Sequence, residues 1–335
     1  MGRRRRRDGE PDRSAVLLVD KEVGPTSHDV VQAVRRASGQ SRVGHTGTLD
    51  PAATGVLVVC LGRAAKLVRF LQAGTKTYAA RMVLGVETSS QDAEGEVLAR
   101  TPAGHIDERR FCEALTRFQG EITQVPPMVS AVKVDGQRLH ELARRGEVVD
   151  REARRVTIHD LVLDAYGPGA DPDHPEASFL VTCSAGTYVR TLAHDVGAAL
   201  GVGGSLVALR RVANGPFTVD EAHRLPAIRE AAEDGRLDEL LLDPLVAVER
   251  ALPTVDVGDI DLVRRLAQGA KLPAEVLEPA RPDGSDAAVA VRSGRQLVGV
   301  YAGPGPQVRA ELVWLRPEEL PAAATRRASD DDEDR

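Results

Sequence analysis

Gly55-Val56-Leu57-Val58-Val59-Cys60-Leu61 carries no polar side chain and is rich in β-branched residues. Such a run is too short for a buried helix and offers no polar face to water, so it predicts a central strand covered on both sides. Its neighbours have to supply that cover. Residues 15–19 form a second short apolar strand, and Gly24-Pro25 turns the chain away from it. Thr26 or Ser27 can then cap a helix whose apolar face is Val30, Val31, Val34 and Ala37, with Gly39 at its stop. A short helix is predicted over 64–71, strands over 77–86 and 96–99, and a helix capped by Asp107 with Phe111, Leu115 and Phe118 on its apolar stripe. Pro126-Pro127 breaks the chain before 128–134, Asp135-Gly136 signals a hairpin, and 138–145 reads as a helix. Strands over 156–163 and 179–183 belong to one antiparallel sheet; a strand-to-helix junction at 184–192 and a strand over 205–212 follow. Interleaved strands and helices with hairpin signals predict an α+β fold with a mostly antiparallel sheet rather than a parallel wound one.

The chain has 335 residues, enough for two domains. Residues 225–253, rich in Pro, Ala and acidic groups, read as a helical edge or linker. Beyond it, strand candidates at 287–291, 297–301 and 311–315 suggest a small β-rich second domain. Five consecutive arginines, Arg3 to Arg7, and the acidic run 330–334 predict solvated, disordered tails, because blocks of like charge cannot bury enough apolar surface to order themselves. The domain plan is therefore a basic tail over 1–13, a larger domain over 14–250, a β-rich domain over 251–318 and an acidic tail over 319–335. The apolar stretch 15–19 is too short for a signal peptide, and no run approaches membrane-spanning length, so a soluble cytoplasmic protein is expected. Cys60, Cys112 and Cys183 are far apart in apolar runs, which fits buried thiols and signals neither a disulfide framework nor a zinc site.

Between Val30 and Val86, Asp50 is the only Asp or Glu, whereas Arg35, Arg36, Arg42, Arg63, Lys66, Arg69, Lys76 and Arg81 all fall there. In a chain of net charge −6, one acid in a basic window suggests a site that receives something anionic around a single carboxylate. Local chemistry alone also fits an Asx-turn before Pro51. Likewise 187–190 reads equally as a helix start with a core tyrosine and a surface arginine. No Gly-Lys-Ser/Thr follows the glycines of 44–55, and no Gly-x-Ser-x-Gly elbow or His-Glu-x-x-His is present, so phosphate-loop, hydrolase and zinc chemistry have no motif support. Tyr78 and Tyr188 each offer a face to a nucleobase, although core packing is the default for either.

The segment Gly44-His45-Thr46-Gly47-Thr48-Leu49-Asp50-Pro51, with Ala53-Thr54-Gly55 and Leu57 downstream, resembles the catalytic motif of the TruB family of tRNA pseudouridine synthases. Further signatures follow in the family's order. They are Asp20-Lys21 with Gly24 and Ser27, Lys76-Thr77-Tyr78, Asp92-x-x-Gly95, Pro126 to Ala131 with Lys133, Gly186-Thr187-Tyr188-Val189-Arg190, Leu209-Arg210-Arg211 and Leu242-Asp243-Pro244-Leu245. The resemblance covers about residues 15–248, with Glu22 standing where the family often has Pro. It implies a pseudouridine synthase fold, a mostly antiparallel mixed sheet flanked by helices, followed by a small PUA-like RNA-binding domain. It also implies isomerisation of uridine to pseudouridine at position 55 in the T-loop of tRNA, without cofactor or metal.

By the same resemblance Asp50 is the essential carboxylate and Arg190 pairs with it and holds it ionised. Tyr78 stacks on the flipped base, Tyr188 is placed as a base close to the sugar, and Leu209 lines the pocket. His45 contacts the everted nucleotides or fills the space they leave, and Lys21 supports the site. The expected partner is the T-arm of tRNA, with no membrane and no obligatory protein partner, and the protein acting as a monomer. Two other functions compete: a tRNA-folding chaperone that opens the elbow, and a subunit of a guide-RNA pseudouridylation complex.

Overall fold

The computed structural model describes residues 13–128, 133–134, 137–138, 145, 149–281 and 285–320. The basic tail to residue 12, Ser130-Ala131, the Asp135-Gly136 turn, most of the helix expected over 138–145 and the acidic tail from 321 lie outside the described residues. Two compact units divide the chain at Asp243/Pro244.

The first unit opens with β1 (Ala15–Lys21), whose seven residues are all buried, then α1 (Ser27–Ser38) and β2 (Val43–His45). Thr26 caps α1 in a reciprocal box with Asp29, and Gly39 closes it in the left-handed conformation at φ 66°. The predicted central strand is β3 (Thr54–Leu61), buried from Gly55 onward. The helix expected over 64–71 is instead a 3-10 turn, Gly62–Lys66, followed by the single turn α2 (Val68–Leu71). Its buried residues explain the break: Ala64 and Leu67 are three apart, the 3-10 period, and Leu67 and Leu71 are four apart. Next come β4 (Lys76–Leu84), β5 (Val86–Thr88), β6 (Val97–Arg100), α3 (Glu108–Thr116) and β7 (Gly120–Gln124). After the two-residue strands β8 (Lys133–Val134) and β9 (Gln137–Arg138) come β10 (Arg154–Gly167), β11 (Glu176–Cys183), α4 (Val189–Ala199) and β12 (Gly204–Asn214). The unit closes with β13 (Phe217–Thr218), β14 (His223–Arg224), α5 (Leu225–Glu233) and β15 (Leu241–Leu242).

One 11-stranded sheet runs β14-β1-β3-β12-β4-β11-β10-β7, with β2, β13 and β15 attached to β3, β12 and β1. Only β1–β14 and β3–β12 are parallel among its pairs, so the sheet is mixed and mostly antiparallel. β3 determines where the site forms. From Gly55 to Leu61 it pairs with β1, so its other edge is shared: β2 takes the end at Val59–Leu61, and β12 takes Thr54 and Gly55. The loop between β2 and β3 therefore lies against residues 210–211 of β12.

Two apolar clusters hold this sheet. In one, Val30, Val31 and Val34 of α1 meet Leu17, Val19, Leu57 and Val59, together with Ile228 of α5 and Leu237. The stretch expected as an edge or linker thus begins as core of this unit. In the other, Phe111 and Leu115 of α3 and Leu192, Ala193 and Val196 of α4 bury Met82, Leu84, Phe179, Val181 and Leu206.

The second unit contains α6 (Pro244–Ala251), β16 (Thr254–Asp256), α7 (Ile260–Ala267), β17 (Leu272–Pro273), β18 (Val289–Ser293), β19 (Gln296–Ala302) and β20 (Gln307–Val313). Its five strands lie in the order β16-β18-β19-β20-β17 around Val289, Val291, Val298 and Tyr301, with Leu266 of α7 against them. Among the described residues no helix is long and apolar enough to cross a membrane.

Candidate active site

The loop from Thr46 to Ala53 is held from below by side chains that donate to its carbonyls. Lys21, at the end of β1 and fully buried, gives its ammonium to the carbonyls of Glu22, Pro51 and Ala53 at 3.0, 3.0 and 2.6 Å. Ser27, in the first turn of α1, accepts from the Leu49 amide at 2.8 Å and donates to the Leu49 carbonyl at 3.0 Å. Arg211 of β12 donates to the carbonyls of Val56, Gly47 and Thr48 at 2.8, 3.1 and 3.5 Å. Gly55 allows that approach. It sits at φ +106°, and a Cβ there would come within 2.2 Å of the Arg211 carbonyl oxygen. A backbone bond from the Ala53 amide to the Asp50 carbonyl, 3.1 Å, closes the turn.

The Asp50 carboxylate is therefore left to point elsewhere. Its Oδ2 lies 3.1 Å from Nε of Arg190, a residue 4 % exposed at the start of α4. The same guanidinium reaches a second acid: Nη1 is 3.2 Å from Oδ2 of Asp92 and donates to the Ser90 carbonyl at 3.0 Å. Tyr188, the N-cap residue of α4, has no side-chain capping bond of its own. Gln124, buried at the end of β7, holds the backbone of Tyr188 itself: its side-chain amide donates to the Tyr188 carbonyl at 3.2 Å and accepts from the Tyr188 amide at 3.0 Å. This pair fixes the backbone from which Arg190 springs.

A cleft of about 270 Å³ opens over this arrangement, close to the lower end of ~300 Å³ usual for ligand sites. Asp50, Tyr78, Tyr188, Arg190 and Leu209 all line it. His45 and Lys21 do not. The imidazole Nδ1 of His45 accepts the Gly47 amide at 3.2 Å, and Lys21 lies beneath the loop. The sequence reading gave no role to Lys76, Gln72 and Arg211, which also line the cleft, or to Gln124 beside it. Asp92 and Arg211 stand inside motifs already noted, but nothing in their spacing from Asp50 shows that all three meet.

Arg190 is not the strongest influence on the Asp50 carboxyl. Arg190 does pull the Asp50 carboxyl downward, yet burial pushes it up more strongly and Asp92 adds to that push, so the group sits above the usual carboxylate range. A carboxylate 41 % open to the cleft but walled by protein elsewhere fits this balance. Burial lowers Lys21 to about 8 against the partial opposition of Asp50. Burial, then Arg211, lowers His45, in keeping with a neutral ring whose Nδ1 is an acceptor. Burial raises the Tyr78 phenol, so it stands in the cleft as a protonated hydroxyl with Arg211 opposing the shift.

Known protein families match most of this chain. The TruB family pseudouridylate synthase N-terminal domain matches over residues 35–189, and the tRNA pseudouridylate synthase B C-terminal domain over 190–252. The chain is 43 % identical to tRNA pseudouridine synthase B of Ralstonia pickettii, over 91 % of this chain and 95 % of the relative. It is 46 % identical to the protein of the same name from Thermobifida fusca, over 86 % of this chain and 98 % of the relative. Among solved structures, a chain of a Cbf5-Nop10-Gar1 complex matches with a TM-score of 0.69 and 26 % identity, covering 91 % of this chain and 86 % of that one. Identity at this level over almost the full length of both chains, together with the fold and the Asp50 loop, establishes that the chain belongs to the TruB family of pseudouridylate synthases and is an isomerase of that class.

Proposed function

We propose that this protein converts uridine to pseudouridine at position 55 in the T-loop of tRNA, with Asp50 as the essential carboxylate acting on a flipped-out nucleotide. The observation that carries the reading is a single carboxylate presented to a cleft and gripped by Arg190 at 3.1 Å. The names of the relatives support the substrate: both are called tRNA pseudouridine synthase B. In the reaction the N1–C1′ bond breaks, the uracil turns, a C5–C1′ bond forms, and the C5 proton is lost while N1 gains one. No atom but a proton enters or leaves, so the chemistry calls for no redox cofactor. Asp50 either attacks the nucleoside or assists cleavage of its glycosidic bond.

The target nucleotide must leave its stack, at a cost of a few kcal/mol. Stacking on Tyr78 offsets about 1–3 kcal/mol of that. Leu209 excludes water, so the detached uracil is re-bonded rather than lost. Tyr188 stands by the sugar, and His45 and Lys21 brace the loop beneath the everted nucleotides. The basic window attracts the phosphate backbone, and the second unit serves as a PUA-like RNA-binding domain. The protein acts in the cytoplasm as a monomer.

Asp50→Asn on a T-arm transcript tests this directly. The rate of pseudouridine formation should fall about 10³-fold or more while RNA binding persists; an undiminished rate refutes the assignment. The Cbf5 likeness favours one alternative, a subunit that works only within an assembly. Purified protein acting on naked tRNA excludes it, and strict dependence on added proteins or guide RNA would establish it. Chaperone action is separable in the same assay, through tRNA folding by the inactive, binding-competent Asp50→Asn protein.

A further inference from the structure

Gln91 is the one residue other than glycine with a positive φ, 65°, among the described residues. A side chain in this left-handed region is strained, and such strain persists only where the surroundings hold it. The surroundings here are specific. The Gln91 amide donates to the Thr88 carbonyl at 3.1 Å, and its carbonyl accepts from Leu206 of β12 at 3.0 Å. Its side-chain oxygen accepts the Thr191 hydroxyl at 2.9 Å. Thr191 is buried and is the residue next to Arg190.

The reversal at Gln91 has a consequence for its two neighbours. The Ser90 carbonyl and the Asp92 carboxylate, one residue to either side, converge on the same nitrogen, Nη1 of Arg190. An extended backbone would send those groups in different directions. Asp92 is braced in turn: its Oδ1 accepts from the Glu94 amide at 3.1 Å and from the Ser90 hydroxyl, and its carbonyl accepts the Thr88 hydroxyl at 2.7 Å. Residues 90–92 thus grip Arg190 and Thr191 together. Glycine would adopt this backbone without strain, but it would have no side chain to reach Thr191.

We propose that Gln91 is a positioning residue for the isomerisation: its strained backbone and its bond to Thr191 set the orientation in which Arg190 meets Asp50. The proposal rests on Asp50 being the catalytic carboxylate. Its logic is that of pre-organisation, in which a small misplacement far from the reacting atoms is felt strongly in the rate.

The test uses Gln91→Gly, Gln91→Asn, Thr191→Val and the double variant Gln91→Gly/Thr191→Val. Each is measured for single-turnover pseudouridine formation on T-arm RNA, for RNA affinity and for thermal unfolding. Gln91→Gly, which keeps the backbone and loses the grip, should lower the rate about 10- to 100-fold with RNA affinity unchanged and melting temperature not reduced. Thr191→Val should do the same, and the double variant should lose no more than either single one. Gln91→Asn, whose amide is one methylene too short, should match the glycine variant. Asp50 is faced by Arg190, Asp92 and Lys21. A loosened Arg190 lowers its carboxyl less, so the acidic limb of the pH–rate profile should move to higher pH, which a purely structural role would not produce. A wild-type rate and pH profile in Gln91→Gly overturns the proposal, as do multiplicative losses in the double variant or a loss accounted for by weaker RNA binding. An active Asp50→Asn overturns the functional reading as well; an inactive Asp50→Asn beside an unchanged Gln91→Gly overturns this inference alone.

Discussion

Replacing Arg190 by methionine keeps most of the side-chain volume and removes the charge that Asp50 and Asp92 share. At the observed 3.1 Å, Coulomb attraction with an effective dielectric of about 20 amounts to roughly 5 kcal/mol. Asp50 is 41 % exposed, so solvent screens much of this, and about 1–2 kcal/mol is the defensible share. With the guanidinium gone, burial and Asp92 act on Asp50 unopposed by Arg190, and the already raised carboxyl moves further up. In the role proposed for Asp50 the ionised form is the active one. Activity therefore rises with pH through the raised value, and the variant's acidic limb lies at higher pH. For stability the sign is opposite. The folded state holds the Asp50 proton longer than the unfolded chain, so this group's contribution is present below the ordinary carboxylate range and is lost as pH rises through the folded value. Asp92, 12 % exposed, loses its cation in the variant, and breaking a buried pair costs about 3–5 kcal/mol, or about 10 °C in melting temperature. The assay is single-turnover pseudouridine formation across pH at a temperature where both proteins are folded. A deficit of about 100-fold or more is expected at the acidic end, narrowing about tenfold as the limb is crossed. A deficit that stays constant at every pH refutes the electrostatic role given to Arg190.

Gly55→Ala places a Cβ 2.2 Å from the Arg211 carbonyl oxygen at a backbone angle closed to L-residues. It should cost about 4 kcal/mol or more and lower the melting temperature by about 10 °C, and an unchanged unfolding curve would count against the β3–β12 geometry. Lys21→Met removes the ammonium from the Pro51 and Ala53 carbonyls; Pro51 keeps the Gly24 amide at 3.0 Å, so the cost is about 1–3 kcal/mol at Ala53, and turnover should slow as the Asp50 turn loosens. In the wild type the Lys21 contribution to stability is present above 10.5 and is lost as pH falls to about 8. Denaturant midpoints should thus rise across that window in the wild type and rise less in the variant. Lys76, lowered to about 8, titrates there in both proteins, so the difference between the two slopes is the readout; equal slopes would refute it.

Much of the fold could be read along the chain because its signals are local. The run 55–61 had no polar face to leave in water, and it lies buried between neighbours on both edges. Thr26, Asp107 and Gly39 stand at helix ends for reasons of backbone hydrogen bonding that act over three or four residues. The expectation over 64–71 failed in detail because a spacing of three and then four is compatible with one helix until burial of Ala64, Leu67 and Leu71 selects the break. Residues 225–253 read as a helical edge or linker because they are rich in Pro, Ala and acidic groups; helices do form over Leu225–Glu233 and Pro244–Ala251, and Ile228 and Leu237 close the layer over α1.

By itself the sequence determined that one carboxylate, Asp50, stands in a basic window, that glycines flank it, and that a tyrosine and an arginine sit together at the start of a distant helix. Those are facts of composition and short spacing. Only the tertiary structure decided that Arg190 serves two acids at once, that Arg211 and Lys21 hold the loop through its carbonyls, and that the Asp50 carboxyl ends above its usual range. The physical reason is distance. Burial and charge act through space, and the split edge of β3 brings residues 47 and 211 together while the chain keeps them 164 positions apart.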